Sequence, residues 1–472
     1  MRQVDHVLQA MPDYGPTQAS LAGVLVWLWA AVYLLTCALL LLFVPPLPVL
    51  AQGVLVLGLY LCWRWPAAVV AAILVLAPFQ PLPTMVLKAA GLDWAVAASS
   101  LKELGLLAAV AVLAWRVRPK LGALDFILLM LFGWAIFVSA FRFNSDTLIS
   151  LKDDFDFLLA FYAGRLIVLE RSWVHVGLWT AGVVASLGAI EFFIVGPGPR
   201  MLLMGVTNPW ELGSSFQADS FSGTRAASTL ASPLEFGAFC ALGLLVFAAF
   251  RRQLGKRYLL PALMLGLGLL VSLTRMAWMG AGLGLILIAY RQGRLMRLAV
   301  IGLVAVPLFM ATLVPYLDLN DYVKRTIART DVSEQGHVLS LVEKSAYVLT
   351  HPLGDGAGSV GPRAAARNSK ALEVESAYLM FGIAYGWPGL VLFSGFYSAV
   401  VLILLRKHSI LGSAAAAVAV AMSFMLAFSP LHIEFPLNSW AWVLIGSAIA
   451  EPASRWGWRF TKAELAGDIV AP

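Results

Sequence analysis

Apolar residues along this chain gather in long blocks set apart by short charged or Pro/Gly-containing joints. The blocks fall at 21–44, 49–63, 66–82, 96–115, 123–142, 155–169, 173–196, 232–250, 258–274, 276–290, 297–316, 374–405, 409–430 and 436–452. Most approach the roughly 20 apolar residues that a membrane-crossing helix needs. None shows the alternating segments of about ten residues that mark a transmembrane barrel. The pattern predicts an all-α, polytopic transmembrane bundle of about 12–14 spans, a single integral membrane domain over residues 1–472.

Composition narrows the class. Of 472 residues 60% are hydrophobic and only 12% charged, against roughly 25% charge in a globular protein. With a mean hydropathy of +0.84, no soluble fold of this length could hide so much apolar surface. Cys37, Cys62 and Cys240 all sit in apolar blocks without CxxC spacing, so neither a disulfide framework nor a zinc site is implied. The block at 21–44 is too long for a cleaved signal and is expected to be an uncleaved first span.

Charge then assigns sides. Basic residues cluster at Arg116/Arg118/Lys120, Arg165/Arg171, Arg251/Arg252/Lys256/Arg257, Arg291/Arg294/Arg297, Arg406/Lys407 and Arg455/Arg459/Lys462. Such residues near span ends are retained in the cytoplasm. Two blocks separate each neighbouring pair of clusters, so all six fit one side and both termini come out cytoplasmic. The net charge of +7 is thereby explained by topology, and a nucleic-acid partner is not expected.

The opposite side receives two long loops, 197–231 and 317–373. The second holds seven basic and seven acidic residues, a balanced, water-facing segment. Within it Leu339, Val342, Ala346 and Leu349 stand at helical spacing beside Glu343 and Lys344, which predicts a helix over 338–349. The sequence His351-Pro352-Leu353-Gly354-Asp355-Gly356-Ala357-Gly358 ends it.

Arginine in an apolar span is unfavourable from about 2.5 kcal/mol upward at the bilayer centre, so a basic residue without a topological role is a functional candidate. Arg275 lies in the run 258–290, which as one helix would extend roughly 50 Å against a hydrocarbon core of about 30 Å. The chain must turn back near its middle, placing Arg275 at an outer-side turn beside Ser272 and Thr274. That placement fits either a snorkelling anchor or an anion-binding cation. Arg225, in Phe221-Ser222-Gly223-Thr224-Arg225-Ala226-Ala227-Ser228-Thr229, precedes the span near Pro233 and reads as a loop arginine or an anion ligand. Two more outer-rim groups are His337, a solvated histidine or a base, and Glu375, a helix N-terminal carboxylate or a base. Lys102/Glu103, Lys152/Asp153/Asp154, Glu191, Glu235 and His432/Glu434 form a second tier, with Lys102 and Glu103 expected to point in different directions on a helix.

These residues resemble the O-antigen ligase/polymerase superfamily of bacterial envelope glycosyltransferases. Ser272-Leu273-Thr274-Arg275-Met276-Ala277-Trp278 is similar to its small/hydroxyl-x-x-Arg-x-x-aromatic signature. Gly223-Thr224-Arg225 with Ser232-Pro233-Leu234-Glu235-Phe236-Gly237 resembles its earlier arginine segment. The third match runs from Gly336-His337 through the His351-Pro352-Leu353-Gly354 loop to Glu375-Ser376-x-Tyr378-Leu379 and Tyr385-Gly386-x-Pro388-Gly389. The likeness spans about 221–390, over a third of the chain.

The resemblance implies a GT-C-like enzyme of the bacterial inner membrane, working on the periplasmic side with no metal and no nucleotide-sugar cofactor. A glycan on undecaprenyl diphosphate would be both donor and acceptor. Arg225 and Arg275 would hold the diphosphate, and Glu375 or His337 would act as the base, unless attack is direct. Glu375 stands where the ligases resemble one another in having His, which favours a polymerase of exopolysaccharide or O-antigen repeats, served by a flippase and a chain-length regulator. The alternatives are a ligase transferring glycan to lipid A-core and, third, a lipid-linked oligosaccharide flippase or other transporter. No internal repeat supports the last.

Overall fold

A computed structural model describes residues 56–92, 100–143, 146–167, 169–196, 198–207, 225–296, 332–368 and 370–450; for 201, 204–207 and 332–338 it describes the backbone alone. The blocks at 21–44 and 297–316, both termini and the basic cluster Arg455/Arg459/Lys462 lie outside these residues. Contacts divide the chain into two units, Met1–Arg64 and Trp65–Pro472. Of the first, only a helix over Val56–Arg64 is described.

Helices of the second unit are α1 (Pro66–Leu76), α2 (Pro81–Ala89), α3 (Leu101–Val117), α4 (Ala123–Phe141), α5 (Thr147–Leu166), α6 (Arg171–Ile190), α7 (Gly198–Thr207), α8 (Pro233–Phe250), α9 (Leu259–Val271), α10 (Arg275–Arg291), α11 (Val332–Thr350), α12 (Pro362–Arg367), α13 (Ala377–Leu405), α14 (Ile410–Met425) and α15 (Phe435–Ala450). No strand occurs among the described residues beyond one isolated bridge, Val360 to Leu372. Among the described residues four stretches are long and apolar enough to cross a membrane: Ala123–Phe141, Arg171–Val195, Pro233–Phe250 and Ala377–Leu405. A fifth is added if Val56–Arg64 and Pro66–Phe79 are taken as one span. The all-helical architecture is thus established, and it is compatible with a multi-pass membrane protein.

Small residues let the helices approach where lipid offers no hydrophobic drive for association. On α5, Gly164 faces the backbone of Val443, and on α15, Gly446 faces that of Phe161; any Cβ at either position would collide with main chain. Ser447 Oγ donates to Gly164 O at 2.7 Å across the same crossing. Nearby Phe157 and Phe161 of α5 meet Phe396 of α13 and Trp442 of α15, with ring centroids 5.2–6.0 Å apart. The perimeter stays apolar: Phe126, Leu129, Phe137 and Phe141 of α4 are each more than half exposed, as lipid-facing side chains would be.

The two ends of the bundle differ in chemistry. At one, Arg165 pairs with the buried Asp125, and Arg171 donates to Gln253 O. Arg291 donates to Leu404 O and Leu405 O, and Lys407 Nζ to Ile449 O. The Ser447–Gly164 bond ties these two groups together, so the five basic clusters within the described residues gather at one end. The opposite end carries the starts of α3, α5, α8, α10, α13 and α15.

Helix α11 forms as expected, starting earlier than residue 338. Its apolar residues Leu339, Val342, Ala346 and Leu349 are exposed, whereas Val348 is the residue that packs, against Gly382.

Candidate functional site

The Arg225 segment is a built loop rather than a loose connection. Helix α6 runs out in a π-turn, Glu191–Val195, which aims the Glu191 carboxylate at the loop. Glu191 Oε2 accepts from Ala227 N at 3.0 Å and Ser228 N at 2.5 Å. From the other side Arg200, 5% exposed, donates Nη1 to Ser228 O at 3.0 Å and Nη2 to Leu230 O and Ala231 O. Between them Ser228 takes φ +59, a left-handed conformation uncommon outside glycine, and its Oγ donates to Val184 O at 2.5 Å. Thr229 Oγ1 donates to Pro78 O at 2.6 Å, and Ala231 N donates to Glu235 Oε2 at 3.1 Å. Thus a carboxylate holds the loop's N–H groups and a guanidinium its carbonyls.

This loop meets the Arg275 turn directly, because Ala226 N donates to Val271 O at 3.1 Å. The run 258–290 does turn back, in the three residues between α9 and α10. Leu273 takes φ +51. Ser272 Oγ and Trp278 Nε1 both donate to Leu269 O, each at 2.7 Å. Thr274 Oγ1 donates to Pro233 O at 3.1 Å, joining the N-termini of α8 and α10. Room for this contact comes from Gly237, where a Cβ would lie 2.6 Å from Ser272 Oγ. The hydroxyls and the tryptophan of the motif are therefore spent on the turn, which sets the half-buried Arg275 at the first position of α10.

Glu375, half-buried, stands just outside α13, whose N-cap is Ser376. Ala377 N donates to Leu426 O at 2.9 Å, and the neighbouring Met425 packs on Gly280 of α10, where a Cβ would lie 3.0 Å from Met425 Cγ. Glu375 and Arg275 thus share one end of the bundle, with the end of α14 between them. His337 falls in the first turns of α11, where the backbone alone is described, so its side chain lies outside the described residues.

Helix α13 is broken, with Gly386 at φ +67 and ψ −165. Four of the groups beside the break find partners outside the helix. Asp355 N donates to Ile383 O and Gly356 N to Ala384 O, each at 2.8 Å; Trp134 Nε1 donates to Tyr385 O at 2.7 Å; and Trp387 N donates to Pro352 O at 2.9 Å. The Pro352-Leu353-Gly354-Asp355-Gly356 loop is a splint for the break, with Gly354 at φ +77 and Gly356 at φ +85 to shape it. Tyr347 stacks on His351 at 3.9 Å and donates to Asp355 Oδ2 at 2.6 Å, a bond that pushes its phenol up to about 12.

A polar network at the same end is what sequence reasoning ranked too low. Lys152 of α5 reaches Glu103 at 3.0 Å, Asp153 at 3.2 Å and Asp156 at 3.7 Å. Arg363 of α12 reaches Glu434 at 3.2 Å and Asp153 at 3.5 Å, while Arg367 donates to Ser150 Oγ at 3.1 Å. Tyr385 donates to Asp154 Oδ2 at 2.5 Å, and the fully buried His432 places Nε2 at 3.5 Å from Asp154 Oδ1. Lys102 and Glu103, expected to diverge, meet at 3.5 Å because long side chains bend back together. The available signal was Lys152 with Asp156 at i,i+4 ahead of an apolar block. Among the described residues no group of three or more His, Cys, Asp or Glu could hold a metal ion.

Compared with models of known protein families and with curated protein sequences, the chain matches none.

Proposed function

We propose that the protein polymerises oligosaccharide repeats carried on undecaprenyl diphosphate, as a GT-C-like bundle of about 12–14 spans at the periplasmic face of a bacterial inner membrane, with 197–231 and 317–373 as periplasmic loops. The observation that carries this reading is the hydrogen-bonded union of the Arg225 loop with the Arg275 turn, where α8 and α10 begin. Two arginines beside two helix N-termini suit a diphosphate, because guanidinium groups and the positive ends of helix dipoles both favour phosphate oxygens.

In this reaction an acceptor sugar hydroxyl attacks the anomeric carbon of a lipid-linked chain. The new C–O bond forms as the bond to diphosphate breaks, undecaprenyl diphosphate leaves with the electron pair, and Glu375 or His337 takes the hydroxyl proton. Arg225 and Arg275 stabilise charge on the departing diphosphate; removing one donor of this kind lowers turnover about 10²–10³-fold.

The test incubates purified protein with lipid-linked repeats and scores ladder formation. Arg275→Ala and Arg225→Ala should lose the ladder while single repeats, membrane insertion and elution volume stay unchanged. Arg275→Lys should not restore it, since a point charge does not replace a bidentate fork. Glu375→Gln and His337→Ala separate the two candidate bases. Polymer of normal length from Arg275→Ala overturns the assignment, and transfer to lipid A-core in place of a ladder would make the protein a ligase.

A further inference from the structure

Helix α11 presents a face that no described part of the bundle covers. Among its side chains from Leu339 onward Val348 alone is buried, and Gly382 of α13 receives it. On the other side Leu339, Val342 and Leu349 are 60%, 62% and 65% exposed, Ala346 is exposed with them, and Leu353 just beyond the helix is 64% exposed. Spacings of three and four residues keep the four helical positions on one stripe, roughly 15 Å long at 1.5 Å per residue. The exposed Glu343 and Ser345 border it on either side.

The helix is tied to the head of an apolar, outward-facing stretch of α13. Trp387 Nε1 donates to Val348 O at 2.9 Å. Trp387 heads the second half of α13, whose Val391 and Leu402 are exposed on the apolar flank of a stretch long enough to cross a membrane. Tryptophan in such a position belongs to the boundary between hydrocarbon and water. An exposed apolar stripe, bordered by polar residues and pinned at the level of that tryptophan, has the make-up of an interfacial helix.

We infer that α11 lies in the membrane–water interface, with Leu339, Val342, Ala346 and Leu349 seated among the lipid chains of the leaflet that Trp387 marks, about 5–10 Å into the headgroup/acyl boundary. The inference depends on the bundle residing in a bilayer and on no particular activity. It gives the exposed stripe its solvent and makes the bilayer surface the support for the 351–361 loop.

The test places single cysteines at 339–349 in a background with Cys37, Cys62 and Cys240 replaced by Ser, spin-labels each, and reconstitutes the protein in phospholipid nanodiscs. Collision with oxygen, which concentrates in lipid, is compared with collision with a water-soluble nickel chelate. Labels at 339, 342, 346 and 349 should favour oxygen and those at 343 and 345 nickel. Nickel access at every position overturns the inference, and so does protection of the stripe from both probes, which would mean that a second copy or another segment of this chain covers it. If the cysteine-free chain fails to fold, a bilayer-confined photoreactive probe on the native protein gives the same decision. Labelling of the 339–349 peptide supports the inference, and its absence alongside labelling at Val391 overturns it.

Discussion

Replacing Gly386 by Ala tests whether the break in α13 is held by the loop that precedes the helix. Gly386 sits at φ +67 and ψ −165, a region that only glycine visits freely, and forcing a side chain there costs about 1–3 kcal/mol. The added Cβ would also fall on Pro352 O and Leu353 C, so the loop must withdraw. Withdrawal loosens the Trp387–Pro352, Asp355–Ile383 and Gly356–Ala384 backbone bonds, each contributing roughly 1 kcal/mol net. Together these predict a destabilisation of roughly 3 kcal/mol or more for Gly386→Ala. The same substitution at Gly395 supplies the control. That residue lies in the helical second half of α13 with nothing within 4 Å of its Cβ, so Gly395→Ala should be neutral or stabilising by about 0.5–1 kcal/mol. Unfolding midpoints of the two variants in mild detergent, measured beside the unaltered protein, make the comparison. If Gly386→Ala unfolds no earlier than Gly395→Ala, the splint does not hold the break.

Two further predictions concern buried charge. Glu191→Ala and Arg200→Met each release one side of the Arg225 loop, so their effects on stability should be coupled by about 0.5–3 kcal/mol in a double-mutant cycle; strict additivity would show that they do not share the loop. At the opposite end, Arg165→Ala leaves Asp125, 1% exposed, without its cation and should cost about 3 kcal/mol in a denaturant titration. Adding Asp125→Asn should recover part of that loss, since the amide oxygen can still accept from Gly122 N while the amide NH2 donates to the Tyr162 hydroxyl; no recovery would mean that the charge imbalance is not the cause.

Much of the helical framework was legible because an apolar block is bounded by the same residues that bound a span. The blocks 123–142, 232–250 and 436–452 correspond to Ala123–Phe141, Pro233–Phe250 and Phe435–Ala450. Splitting the run 258–290 at its centre placed Arg275 at the start of a helix, because length alone forbids a single span there. The block 155–169 starts eight residues late against Thr147–Leu166. The first turns of α5 carry Lys152, Asp153, Asp154 and Asp156, and reading hydrophobicity along one segment cannot see partners supplied by α3, α12 and the turn before α15. Arg200 escaped for the same reason, since its acceptors lie about 30 residues ahead in a loop. In α11 the apolar stripe was visible in the spacing, but its direction was not: periodicity identifies a face without saying what stands opposite.

The splinted break in α13 also bears on how the chain is assembled. As a straight helix, Ala377–Leu405 would run about 43 Å, well beyond a hydrocarbon thickness of about 30 Å. Pro388 bars an unbroken α-helix here, because it has no N–H to offer Ala384 O, and hydrocarbon supplies no substitute donor. Gly356 N takes that carbonyl, and the loop and Trp134 take Ile383 O, Trp387 N and Tyr385 O beside it. Because that loop is synthesised before α13, these partners already exist when the helix arrives, so the bend can form as the segment enters the bilayer.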